Sequence, residues 1–247
     1  MGFVNMDLIL HIGIHKTGTT AIQIFLYKLR RILLEKYSLL YPLSGIPDDK
    51  HIFGQVMIAP HYSKLIGKKF DDVIDSFINE VKSLNPNFVC VSSEELYIKN
   101  ATLYLLEKIK HLFRRTIIIL YMKRQDLFIE SSYKERVKNN NSKITKSFYS
   151  SIHDRLLLLD YSKNLNNLKN NLKNIFPSGA YILPRIYDRS LFPEGNVILD
   201  FLSVLGIDMP EAKEYKIEAN PSLSHISTLA LRKINEKFNL SREERLK

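Results

Sequence analysis

"HIGIHKTGTTAIQ", residues 11–23, sits between an apolar run, "LILHIGI" (8–14), and a stretch of helical period, "AIQIFLYKLRRILLEK" (21–36). It nearly matches the triphosphate-binding pattern G-x-x-x-x-G-K-[ST], in which a lysine after the second glycine reaches the β- and γ-phosphates. Gly13 and Gly18 have the right separation, but Thr19 stands in the lysine's place and Lys16 lies inside the loop. A glycine-bearing turn from strand to helix aims backbone N–H groups and the positive end of the helix dipole at one spot. With Lys16 and the hydroxyls of Thr17, Thr19 and Thr20 beside it, the turn reads as a phosphate loop rather than a plain β-α connection. The triphosphate apparatus is incomplete: there is no G-K-[ST], and no clear apolar run ends in an Asp suited to hold magnesium.

Working outward, strand-length apolar runs alternate with helical stretches. "DDVIDSFINEVKSL" reads as helix, "FVCVSSE" as strand, "TLYLLEKIKHLF" as helix and "TIIILYMK" as strand, so the first half is three β-α steps. The second half holds "DLFIESSYKERVKN", a long helical stretch over 147–175, the short strand "AYILPRIY", the helix "VILDFLSVLG" closed by Gly206, and a last helix over about 224–238. This alternation implies an α/β fold: a three-layer, P-loop-like arrangement with a central parallel sheet flanked by helices. A chain of 247 residues can bury one good core, and one domain over 1–247 is expected.

Composition excludes several classes. Hydrophobic residues at 45% and charged residues at 25% are ordinary for a globular chain. The net charge of +10 favours anionic partners, but the basic residues form no tail and no aromatic-interleaved stripe, so nucleic acid is not the expected partner. The single cysteine, Cys90, leaves no disulfide framework or cysteine metal cluster. No segment reaches the roughly 18 apolar residues a membrane span needs, and a cytoplasmic chain is expected, with a peripheral membrane contact left open.

"HKTGTT" resembles the 5′-phosphosulfate loop of sulfotransferases that use 3′-phosphoadenosine 5′-phosphosulfate (PAPS), whose loop lysine precedes the second glycine as Lys16 does. After "TIIILYMK" comes "RQDLFIESS", with Arg124 and, eight positions on, Ser132, the spacing with which that family grips the donor's 3′-phosphate. "RIYDRSLF" with the following helix resembles the family's Tyr-acid element, which implies Tyr187 near the adenine. "NPSLSHISTLALRKIN" is similar to the C-terminal part of bacterial carbohydrate-type members, while the glycine-rich 3′-phosphate motif of cytosolic animal enzymes is absent.

The resemblance implies transfer of a sulfuryl group from PAPS to an acceptor hydroxyl, of a glycan or glycolipid, with no metal. Donor contacts would come from His15, Lys16, Thr17, Gly18, Thr19, Thr20, Arg124, Ser132 and Tyr187, and Lys16 would offset charge on the leaving oxygen. The base should lie at the C-terminal edge of a neighbouring strand. Glu94, delivered by "FVCVSSEEL", is the first candidate, with its pKa raised by partial desolvation; a helix N-terminal acid is the alternative reading. His51 is the second candidate. Gln23 could face the ligand, whereas His11 is expected in the core. Two rival readings share the fold, a P-loop small-molecule or nucleotide kinase and a non-catalytic nucleotide- or glycan-binding protein.

Overall fold

The computed structural model describes residues 6–48, 54–65, 67–97, 100–138, 146–152, 156–176, 179–215 and 223–237. They group into two compact units: one from residues up to Met122 together with Leu165–Ile217, the other from Lys123–Asn164 together with the residues from Glu218 onward.

The first unit is built on five strands, β1 (Asp7–Gly13), β2 (Leu39–Leu40), β3 (Phe88–Ser92), β4 (Arg115–Met122) and β5 (Ala180–Ile186), in the order β2-β3-β1-β4-β5. Every neighbouring pair is parallel. β1 is buried along its whole length, which is why its sequence is a near-continuous apolar run rather than an alternation. Leu8, Leu10 and Ile12 face one core and Ile9 the other, and on β4 Ile118 and Leu120 part from Ile119 and Tyr121 in the same way.

Helices cover both faces. α3 (Phe70–Leu84), α4 (Ala101–Ile109) and α8 (Tyr161–Ile175) pack Phe77, Leu105 and Leu172 against the first core. α1 (Thr19–Tyr37) and α9 (Val197–Leu205) pack Phe25, Leu29 and Phe201 against the second. Each such Leu or Phe contributes about 1.5–3 kcal/mol by leaving water. The expected three-layer α/β architecture with a parallel sheet is therefore present. β5, an edge strand, tolerates Pro184 because an edge position need not donate to a further neighbour. α9 is capped by Asn196, whose Oδ1 accepts from Ile198 N at 2.9 Å, and closes on Gly206 at φ 67°.

A buried polar brace ties the sheet to α9. Asp200, 1% exposed, accepts from the Tyr121 hydroxyl at 2.6 Å and from Arg185 Nε at 3.2 Å. At the opposite end of the sheet Asp7, also 1% exposed, accepts from Arg114 and Arg115.

The second unit is helical. It contains α5 (Gln125–Lys138), α6 (Phe148–Ile152), α7 (Leu156–Leu159) and α10 (His225–Lys237). Tyr133 stacks edge-on with Phe148 at 5.3 Å, Val137 is buried, and Val137 O accepts from Asn235 Nδ2 at 3.0 Å. The helical stretch expected over 147–175 thus appears as α6, α7 and α8 rather than one rod. Among the described residues no helix is long and apolar enough to cross a membrane.

Candidate functional site

β1 ends at Gly13 and α1 begins at Thr19, so the intervening turn lies at the C-terminal edge of the sheet's central strand. Two of its residues are left-handed, Lys16 at φ 70° and Gly18 at φ 72°. For a lysine this conformation costs roughly 1–2 kcal/mol, a strain characteristic of functional turns. Gly13 has to be glycine because a Cβ there would lie 2.6 Å from both the Thr17 and the Thr19 hydroxyl oxygens. A Cβ on Gly18 would lie 2.8 Å from the Tyr187 ring.

The hydroxyls divide their tasks. Thr17 Oγ1 donates to Ile14 O at 2.6 Å, so its hydrogen closes the loop on itself. Thr19, 3% exposed, keeps a buried Oγ1 with no partner among the described residues. Thr20 is exposed beside it. The N-terminus of α1 carries no side-chain cap and no acidic residue in its first turn, leaving its initial N–H groups and its dipole open to an anion. Lys16 is exposed on the rim.

Glu94 reaches this loop from the 3-10 turn Glu94–Tyr97 that follows β3. Its Oε2 lies 3.1 Å from His15 Nδ1. Burial pushes the carboxyl up, but the His15 hydrogen bond and the charges of His15, Lys16 and His11 outweigh it and hold Glu94 below the ordinary carboxylate value. The direction is opposite to the one expected from desolvation alone, because the sequence did not reveal that His15 turns back onto this acid.

Glu95, the next residue, pairs with His61 Nε2 at 2.7 Å. The sequence reading missed this pair, since 34 residues separate its members. Gln23 does not face the loop: it is buried, donates to Ser92 O at 3.2 Å and packs on Gly54. His11 is fully buried, as expected, with Nδ1 2.7 Å from the Ser92 hydroxyl and its ring between Tyr121 and Phe201. Burial pulls its pKa down to about 3. Tyr187 lies over Gly18 and packs on Phe192 at 5.5 Å. His51 lies outside the described residues.

Arg124 and Ser132 belong to the second unit. Arg124 presents a two-pronged grip to Asp126, Nε to Oδ1 and Nη2 to Oδ2, both at 2.7 Å. That hydrogen bond holds the Asp126 carboxyl down at about 2. Ser132, 7% exposed on α5, borders a space of about 10 Å³ with Tyr133, Arg136 and Phe148, on the order of one water. Among the described residues no three His, Cys, Asp or Glu side chains gather to hold a metal ion.

No family model matches the chain. Over 130 residues it is 55% identical to an uncharacterized protein of Archaeoglobus fulgidus, a match that takes in 53% of this chain and 33% of that protein. The chain therefore corresponds to about a third of that relative's length. A Pyrococcus abyssi GTPase solved in its apo form aligns over 95% of this chain and 85% of its own, with a TM-score of 0.35 and 14% identity.

Proposed function

We propose that the chain transfers a sulfuryl group from PAPS to a hydroxyl of an acceptor, a carbohydrate or glycolipid. The observation that carries this reading is the loop itself. The helix N-terminus has no side-chain cap, and the buried Thr19 hydroxyl has no partner among the described residues, donors that an anion would satisfy, while the loop lysine, Lys16, sits before the second glycine. That arrangement suits a phosphosulfate better than a magnesium triphosphate, whose lysine position is filled by Thr19.

In the proposed step, Glu94 takes the acceptor's hydroxyl proton as the acceptor oxygen forms its bond to sulfur. The bond from sulfur to the bridging phosphate oxygen breaks in the same displacement. The bisphosphate leaves with the new negative charge on that oxygen, which Lys16 and the N–H groups at the start of α1 compensate. His15 fixes the Glu94 carboxylate at 3.1 Å and keeps it ionised, so the base is ready at neutral pH although weaker than an unperturbed carboxylate. By the same resemblance Arg124 and Ser132 are assigned to the donor's 3′-phosphate and Tyr187 to the adenine. For Arg124 that assignment requires a phosphate to displace Asp126 from the guanidinium.

Calorimetry with 3′,5′-bisphosphoadenosine (PAP) and with ATP-magnesium tests the reading. PAP is expected to bind without metal and at least tenfold more tightly. Tighter binding of ATP-magnesium would overturn the proposal in favour of the kinase alternative.

A further inference from the structure

The first unit contains a cavity of about 560 Å³, bordered by the start of α2 (Pro60–Leu65), by α4 and by the C-terminal half of α8. Its volume is that of a site for a small organic ligand. The side chains that decide its chemistry are His61, Asn100, Tyr104, Glu107, Asn171 and Asn174. We infer that this cavity binds an uncharged, hydroxyl-rich ligand, a neutral saccharide of one or two rings, and that it holds the acceptor beside the phosphate loop.

Three observations carry the chemistry. First, the described lining residues include one carboxylate, Glu107, and it is already paired with Lys110 at 2.7 Å. The Lys108 ammonium, 5.9 Å from the Tyr104 ring centroid, is likewise paired with Asp71 at 3.0 Å, so the charges at this wall are balanced within the protein and favour an uncharged ligand. Second, the amides of Asn100, Asn171 and Asn174 each offer both a donor and an acceptor group, the complement of a ring of hydroxyls. Asn171 already gives its Nδ2 to Asn167 O at 2.7 Å, which leaves its Oδ1 as an acceptor. Third, Tyr104 is 50% exposed and is steadied by Phe70 at 5.3 Å. A half-open, braced aromatic ring is a platform for the apolar C–H face of a sugar.

The link to the loop runs through two consecutive acids. Glu94 meets His15 in the loop and Glu95 meets His61 on the cavity wall. Their Cα atoms are about 3.8 Å apart, as across any trans peptide bond. With Nε2 of His61 engaged by Glu95, Nδ1 is the ring nitrogen left to meet a ligand hydroxyl. One turn of backbone therefore joins the saccharide wall to the anion loop. The acceptor role rests on the transfer reading above, whereas saccharide binding as such does not.

Saturation-transfer NMR on the full chain with lactose, cellobiose, maltose and chitobiose, and with glucuronate as the anionic control, tests the site. At least one neutral disaccharide is expected to bind, with glucuronate at least tenfold weaker. Tyr104→Ala should lower that affinity tenfold or more and Asn174→Ala several-fold, with circular dichroism confirming the fold. Tyr104→Leu replaces the alanine variant if the latter does not fold. Absence of binding by all four sugars, preference for glucuronate, or indifference to both Tyr104 and Asn174 would overturn the inference. PAP affinity measured in the same variants should stay within twofold of the wild type. If the unmodified chain binds a disaccharide but not PAP, the transfer reading fails and the saccharide site stands; the reverse result removes the saccharide site alone.

Discussion

His15 Nδ1 lies 3.1 Å from Glu94 Oε2, so the anion loop and the turn after β3 are joined by a pair of titratable side chains. Because the pair lowers the Glu94 pKa below the ordinary 4.5, the acid limb of kcat/KM should fall below that value. His15→Ala removes the hydrogen bond and a nearby charge, leaving burial to act, and should move the limb upward. Glu94→Gln should lower kcat at least a hundredfold, in line with the loss of a general base, with PAP affinity retained. A pH–rate profile of the two variants checks both outcomes.

Lys16→Ala should reduce kcat by a hundredfold or more and weaken PAP only modestly, since charge on the leaving oxygen develops in the transition state. Single-turnover transfer and calorimetry separate the two effects.

Asp126 holds both prongs of Arg124. If Arg124 grips the donor's 3′-phosphate, Asp126→Asn weakens its competitor and PAP should bind several-fold more tightly, while Arg124→Ala should weaken PAP tenfold or more. Adenosine 5′-phosphate, which lacks the 3′ group, should respond to neither change. Equal responses of the two nucleotides would remove Arg124 from the 3′-phosphate.

His11 is fully buried and its pKa is lowered to about 3 from 6.5. The unfolded chain therefore binds the extra proton first as pH falls. Stability from this residue is intact above about pH 6.5 and is lost progressively toward pH 3, by an amount on the order of several kcal/mol. Urea unfolding of the wild type and of His11→Asn across this range should show a flatter pH dependence in the variant.

Asp200→Ala leaves the Tyr121 hydroxyl and the Arg185 guanidinium without their shared acceptor. The expected cost is about 3 kcal/mol, read as a lower urea midpoint. Asp200→Asn, which keeps an acceptor oxygen, should lose less.

The layered fold was legible because β1, β3 and β4 are largely buried and so carry near-continuous apolar runs, and because Gly206 marks a helix end. β2 is two residues long, too short for any periodicity to register. The loop was legible from Gly13, Lys16 and Gly18, whose roles depend on local backbone. The side-chain pairings around it were not. His61 with Glu95 and Gln23 with Ser92 are made by the fold across long separations, and no local spacing encodes them. The grip of Asp126 on Arg124, only two residues away, was open to inspection in the sequence and shows that an arginine at a familiar spacing can already be occupied.

In the proposed reading the loop would hold its anion largely through main-chain groups and one small hydroxyl, whereas the adjoining turn sends Glu94 to His15 and Glu95 to His61. Change at position 95 could therefore alter which molecule is welcomed on one side without disturbing the grip on the other. Lineages built on this scaffold would be free to diversify their clientele while keeping a common fuel.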